Sequence, residues 1–540
     1  MSNHSGPTPK AGLVILSVSS MLLANSIAVA QAPICTAPKI EPARSLAVTD
    51  AAVDRTKFSF SRTIGAILSS MSIPNTADNR ENFLKTLLAS FNNEVLVNPV
   101  SGLRMRVDKR PEAALDPKKL LDPADPTGLV PVALFNRLDL APADWSDCGE
   151  HRIIYSFKTH IPAFPFSRFF LIFEARTANA SPEKIGFEGC RATANFWRDL
   201  TDEDDEGKRA ERLEQFYYTG IHGTAGPVVQ AKNYGGPLGQ VRGNLLVTAS
   251  GATASDASSN FQLREWVIVN SGQPTPASFI SVTVKDNPLT QFYLDANGPD
   301  APLDPMLETE RVEFQKEFLN TSLTRLLEPD VVYNFLTPGQ PGYKPELDPN
   351  PDNPVFDIDK YKIEILNRFG AGFQNRFNAF QSVSQEFEDN PEKKAGMRFK
   401  KDIKTKLGQF IIDPMRNQPK VKHVLNRAGA VTCGGCHQFT TGEPVGQVRG
   451  EPILWPPSET WVHVTELGWL SPALKKVFLP FRQDRLAEAV CIPIGMADAR
   501  DEKDEAKQRE ITQKAIQAIT VQRQEAMQKS GYFVTNRRPH

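Results

Sequence analysis

Beyond residue 30 this 540-residue chain has no apolar run of membrane-spanning length, so no membrane-spanning helix is expected in the mature protein. It also lacks an excess of charge. Of its 62 Lys and Arg only Lys10 falls in the first thirty residues, so 61 basic groups face 63 acidic ones and no positive field exists to hold a nucleic-acid backbone. No internal repeat of fixed period is visible, which excludes architectures built on one. No Ser/His/Asp order, phosphate-binding loop or paired-carboxylate motif names a hydrolytic reaction. Cysteine and histidine are scarce, at 6 and 8 residues, so a cluster of them is informative.

The first ten residues carry one basic group and no acid, and Ala11 to Ala30 is uncharged and rich in Leu, Val, Ile and Met. It closes on Ala28-Val29-Ala30, the small-x-small pattern read by signal peptidase, so residues 1–30 are expected to be a removed export signal. The apolar run is long enough to stay as an anchor, but its small-residue ending and the Pro-bearing stretch after it favour cleavage. Lipidation at Cys35 is not expected, because Ile34 stands where a small residue is needed. The mature chain is therefore read as a soluble protein of the periplasm or the exterior. In that oxidising setting Cys35, Cys148, Cys190 and Cys491 make an even set with three possible pairings. Cys148–Cys190 is favoured because both lie in one β-rich region, and Cys35–Cys491 follows by elimination.

Periodicity divides the remainder. Residues 31–130 read as an N-terminal segment wrapped on the rest, with an amphipathic helix around Phe83, Leu84, Leu87, Leu88 and Phe91. Residues 131–290 contain β-branched and aromatic runs, such as 152–157, 168–173, 245–247 and 266–269, bounded by Pro, Gly, Ser and Asn. They predict an antiparallel sheet, interrupted by a helix at Phe196-Trp197 and a solvated run from Thr201 to Glu214. The acidic stretch Asp202–Gly207 resembles a calcium loop only superficially, since Leu213 holds the position where a bidentate Glu is required. It is read as a solvated face, and Asp295, Asn297, Asp300 and the Asp-Pro steps of 348–354 as turns. Residues 305–414 read as helical, with Phe369, Phe373, Phe377 and Phe380 along one stripe that belongs to a core. A charged helix and tail, 501–540, follow a segment spanning 415–500.

That segment contains Cys433-Gly434-Gly435-Cys436-His437. Two thiols separated by two residues can each add to a vinyl group of haem, and the adjoining imidazole can bind the iron from the same side. On a helical turn positions 433, 436 and 437 share a face. A CxxCH arises by chance in a chain of this composition with a probability on the order of one in a thousand. The competing readings are a short disulfide, Cys433–Cys436, beside an incidental His, and a zinc site using Cys433, Cys436 and His463. Zinc needs a second ligand pair, and none is present in the sequence.

A helix of Val421, Val424, Leu425 and Ala428, started near Pro419 and ended by Gly429, delivers the motif. A Pro-rich loop and a capped helix from Ser471-Pro472 follow. Over residues 415–500 the chain resembles c-type cytochromes, and residues 131–290 resemble uncharacterised secreted bacterial proteins, which adds no activity. The resemblance implies one covalent haem c, thioethers from Cys433 and Cys436, and His437 as proximal iron ligand. The sixth ligand decides between carrier and enzyme. Met496, 59 residues beyond His437, and His463 are the candidates.

The expected fold is α+β: an antiparallel β-rich central region, then a mainly helical C-terminal half carrying the haem segment. The expected function is electron transfer in the bacterial periplasm with a redox partner there. The alternatives are a haem peroxidase or oxidase with an open axial position, though a second CxxCH as in two-haem peroxidases is absent, and a non-redox binding protein with a Cys433–Cys436 disulfide.

Overall fold

A computed structural model describes residues 38–491, without 159–167, 182–186, 237–238, 248–259, 271–276, 286–311, 327–342, 368–380, 386–400, 406–419 and a few isolated positions. The β-branched and aromatic runs form strands that pair into one eight-stranded antiparallel sheet. Its strands are β1 (Ala47–Val48), β2 (Leu129–Arg137), β3 (Asp147–Phe157), β4 (Arg168–Ala178), β5 (Gly239–Val247), β6 (Asn260–Val269), β7 (Ser278–Val282) and β8 (Ser384–Gln385). The order is β1-β2-β3-β4-β5-β6-β8, and β7 also pairs with β6. Helices complete an α+β fold. Among the described residues no helix is long and apolar enough to cross a membrane.

Strand alternation gives the sheet two different faces. On β3, His151, Ile153 and Tyr155 point toward a helical layer, whereas Glu150, Arg152 and Ile154 line a cavity on the opposite side. The helical layer comprises α1 (Phe60–Ser70), α2 (Ala77–Ser90), α3 (Arg191–Asp199) and α4 (Glu206–Glu214). Each of α1, α2 and α4 starts on a side-chain cap: Ser59, Thr76 and Asp205 accept from backbone N–H groups of the first turn. The helix expected at Phe83 to Phe91 is α2, and its Phe83 stacks on Phe279 of β7 at 4.3 Å. Phe60 of α1 meets Tyr155 and Phe173 edge-on. Tyr155 donates to the Phe58 carbonyl and shares a hydrogen bond with Thr63 Oγ1, so its hydroxyl is satisfied inside the core.

His151 is the exception in this layer. It is fully buried, stacked on Trp197 and edge-on to Phe216, and neither ring nitrogen has a hydrogen-bond partner among the described residues. Burial pulls its pKa down to about 3 from the ordinary 6.5, so the folded protein holds the ring neutral. The unfolded chain protonates this histidine first as pH falls below 6.5. Stability is therefore lost from 6.5 down to about 3, at about 1.4 kcal/mol per pH unit. His151→Phe, which keeps an aromatic ring between Trp197 and Phe216, is expected to flatten that acid limb in urea titrations at successive pH values. A parallel pH dependence in both proteins would reject this assignment.

Cys148 and Cys190 form the expected disulfide, closing a separation of 42 residues and tying the start of β3 to the turn before α3. On chain-entropy grounds a loop of that size contributes about 4 kcal/mol. Cys491 is also disulfide-bonded; its expected partner, Cys35, lies outside the described residues. The acidic run behaves as a solvated helix start, Asp205 accepting from the Lys208 N–H at 2.9 Å. Asp348 turns the chain at 348–354 by accepting from the Asn350 N–H at 3.0 Å.

Within 305–414, Ser384–Gln385 extends the main sheet and Gln381–Ser382 pairs with Val284–Lys285. The described part of 415–500 lies against the second face of the sheet, with Trp461 packed among Leu246, Phe261 and Leu263. The Phe369–Phe380 stripe, the turn residues Asp295, Asn297 and Asp300, the C-terminal charged helix, Met496 and the export signal lie outside the described residues.

Candidate functional site

Helix α5 (Val421–Ala430) delivers the motif as expected. Its buried Arg427 donates to the Val445 and Leu326 carbonyls, fixing it to the hairpin of β9 (Pro444–Val448) and β10 (Glu451–Leu454). Thr432 then both stops this helix and starts the next turn. Its hydroxyl donates to the Gly429 carbonyl at 2.8 Å and accepts from the Gly435 N–H at 2.9 Å. The motif follows as a short helix with a widened turn over Gly435–Phe439. A Cβ on Gly435 would lie 2.0 Å from the Gly429 carbonyl oxygen. Glycine is required here by the crossing of two backbone turns.

Cys433 is half-buried and Cys436 buried. Among the described residues no three His, Cys, Asp or Glu side chains converge as a metal-ion set. His437 is held from behind. Its Nδ1 lies 2.7 Å from the Trp461 carbonyl oxygen, and a carbonyl only accepts, so Nδ1 carries the proton. Nε2 is then the unprotonated nitrogen of the neutral ring. Burial lowers the His437 pKa to about 4 despite that hydrogen bond, and Arg242 reinforces the shift, so the imidazole is neutral at neutral pH.

The carbonyl that orients His437 sits on a strained turn. Thr460 and Trp461 both adopt the left-handed region, at φ 55° and 66°, which costs about 1–3 kcal/mol each for non-glycine residues. Surrounding contacts hold them there. Trp461 stacks on Phe261 at 4.1 Å and meets Phe439 edge-on at 5.1 Å. Arg168 of β4 donates to the Thr460 carbonyl at 3.0 Å, and Asn244 of β5 donates to the Trp461 carbonyl at 3.0 Å. The Ser458 hydroxyl donates to the His437 carbonyl. The sheet thereby fixes the loop, and the loop fixes the imidazole.

His463 belongs to the same cluster. Its Nε2 is 3.3 Å from Cys436 Sγ and its Nδ1 is 2.8 Å from Ser471 Oγ. Ser471 also accepts from the Leu474 N–H, capping the expected helix from Pro472 that runs into α6 (Leu479–Val490). The rings of His437 and His463 lie 4.6 Å apart, tilted by 50°. The two imidazoles are thus neighbours in one cluster.

Between the motif and the sheet lies a cavity of about 200 Å³, amphiphilic by construction. One side is apolar, with Ile154, Phe170, Ile172, Leu263 and Phe478. The other is ionic: Arg152 bridges Glu150 (2.7 Å) and Glu174 (3.2 Å), Arg242 bridges Glu174 (3.6 Å) and Glu265 (3.3 Å), and Arg137 forks onto Asp139 (2.9 Å). Cross-strand register aligns them, Arg152 opposite Glu174 and Arg242 opposite Glu265. Reading motifs alone misses this ionic layer. Its sequence signal is nonetheless present: Glu150, Arg152, Glu174, Arg242 and Glu265 interrupt otherwise apolar strands, where an unpaired charge is too costly to bury.

No family model, curated protein or solved structure matches this chain.

Proposed function

We propose that the chain is an exported c-type haem protein carrying one covalent haem, attached through Cys433 and Cys436, with His437 as proximal ligand. The observation that carries this reading is the fixed imidazole. His437 is pinned through Nδ1 by a backbone carbonyl, which leaves Nε2 for iron beside two thiols, and metal-ligating histidines are held this way by their other ring nitrogen. Cys433, Cys436 and His437 all border one cavity with an apolar wall and an ionic one, which suits the polarity of the group, although at about 200 Å³ that cavity has to widen to admit a macrocycle.

When bound, the haem supplies an iron that cycles between ferric and ferrous states, and electron transfer to a periplasmic redox partner is the role we assign. The protein's share is positional. Cys433 and Cys436 tether the ring, the Trp461 carbonyl sets the tautomer and raises the basicity of His437, and Phe261, Phe439 and Trp461 keep water from its edge.

A second reading, a haem enzyme with an open axial position, is favoured by the placement of His463 beside His437 and by the ionisable cavity wall. Spectra separate the two. With a sixth protein ligand, His463 or Met496, the reduced haem is six-coordinate and low-spin and binds carbon monoxide slowly; the signature disappears in His463→Ala or in Met496→Ala, whichever supplies the ligand. A high-spin haem that binds carbon monoxide rapidly, unchanged by both substitutions, would reject the carrier role and leave the enzyme.

A further inference from the structure

We propose that the turn 465–470 is a contact with an anionic lipid surface, made by Leu467 and Trp469 and held by Lys475 and Lys476. Leu467 and Trp469 are 71% and 65% exposed, the two most exposed large apolar side chains among the described residues. Their turn is rigid. The Thr465 N–H donates to the Trp469 carbonyl at 2.9 Å and its carbonyl accepts from the Gly468 N–H at 2.9 Å, while its hydroxyl accepts from the N–H groups of Trp469 at 3.0 Å and Leu467 at 3.3 Å. Val464 and Leu470 bridge the base of the turn. A Cβ on Gly468, at φ 78°, would lie 3.2 Å from Thr49, so it is the glycine that faces the body. The two apolar side chains beside it face water, an arrangement that stabilises no monomer and suits a contact.

Charge and area name the occupant. From Trp461 to Gln483 the exposed residues are Leu467, Trp469, Lys475 and Lys476, two apolar and two basic with no acid among them. Glu466, half-buried, is turned to Arg168 at 3.6 Å. The lysines lie on the helix from Pro472, and the Ser471 N–H just before it donates to the His463 carbonyl at 2.9 Å, so the helix start is tied to the foot of the turn. An aromatic side chain buries roughly 150–250 Å², and even with Leu467 added the tip stays well short of the roughly 800 Å² that each partner gives to a stable protein interface. A bilayer asks for no matching surface. It takes an inserted apolar side chain, Trp at the headgroup level above all, and holds basic residues against anionic headgroups. Because the turn begins two residues after His463, which lines the cavity, the contact sets this end of the cavity near the lipid.

The test sediments the mature chain with vesicles of equimolar phosphatidylglycerol and phosphatidylcholine, and with vesicles of phosphatidylcholine alone. Binding is expected to be reversible, stronger on the anionic vesicles and reduced there by about 0.5 M salt. Leu467→Ser/Trp469→Ser should lower partition into both at least tenfold. Lys475→Gln/Lys476→Gln should lower it on the anionic vesicles alone, by about fivefold for each lysine. All four side chains are exposed, so both variants should keep the wild-type melting temperature. The haem-free Cys433→Ala/Cys436→Ala protein should bind as the wild type does, and the contact is therefore tested independently of the haem reading. No partition into anionic vesicles, or partition that either double variant leaves intact, overturns the lipid contact. Concentration-dependent dimerisation that Leu467→Ser/Trp469→Ser abolishes, without vesicle binding, overturns it by assigning the tip to a second copy.

Discussion

Protein matured with a haem-attachment system is expected to retain one haem through denaturing electrophoresis, and Cys433→Ala/Cys436→Ala to retain none. The effect is all-or-none because the two thioethers survive unfolding whereas coordination by His437 does not. Both cysteines border the cavity, Cys436 buried and Cys433 half-buried. His437→Ala separates the roles: the haem stays attached, but the pinned imidazole is gone and the proximal bond with it. Loss of haem staining in His437→Ala alone, with both cysteines present, would mean that the tethers are not the attachment.

The second large effect is expected at Gly435. A methyl group at this position would meet the Gly429 oxygen at 2.0 Å and Thr432 Oγ1 at 2.6 Å, and neither neighbour is the far end of a flexible chain. The Gly429 carbonyl is fixed by the Thr432 N–H (2.9 Å) and by the Thr432 hydroxyl (2.8 Å), so it cannot withdraw without breaking the junction of α5 with the motif. Overpacking of this kind costs about 1–3 kcal/mol and more against backbone. Gly435→Ala should therefore lower the melting temperature and the yield of attached haem together, since the turn that aligns the thiols is the turn being forced apart. An unchanged melting temperature with full haem content would show that the junction is slacker than its geometry.

The sheet was legible because its strands are aromatic and β-branched with turn residues at their ends. Helices α2 and α5 were legible from their apolar spacing. The cysteine motif was legible because cysteine is rare, so five adjacent residues carried most of the signal. What surrounds the motif was not. Trp461, Asn244 and Arg168 act on His437 through backbone carbonyls and a strained turn, and no local pattern announces a contact between residues more than two hundred positions apart. The ionic wall escaped for a related reason: charges in a strand look like a solvated face until the partner strands show that they face one another. The two-residue additions to the sheet at 381–385 were not legible, because they are too short to have a period.

The haem reading stands or falls on covalent attachment at residues 433–437, which mass spectrometry reads without intermediate steps from the proteolytic peptide that contains them, taken from mature protein without reduction. The expected peptide carries the mass of one haem, bonded through both Cys433 and Cys436. A peptide with unmodified thiols, or one closed as a Cys433–Cys436 disulfide, would refute the attachment and the function proposed from it.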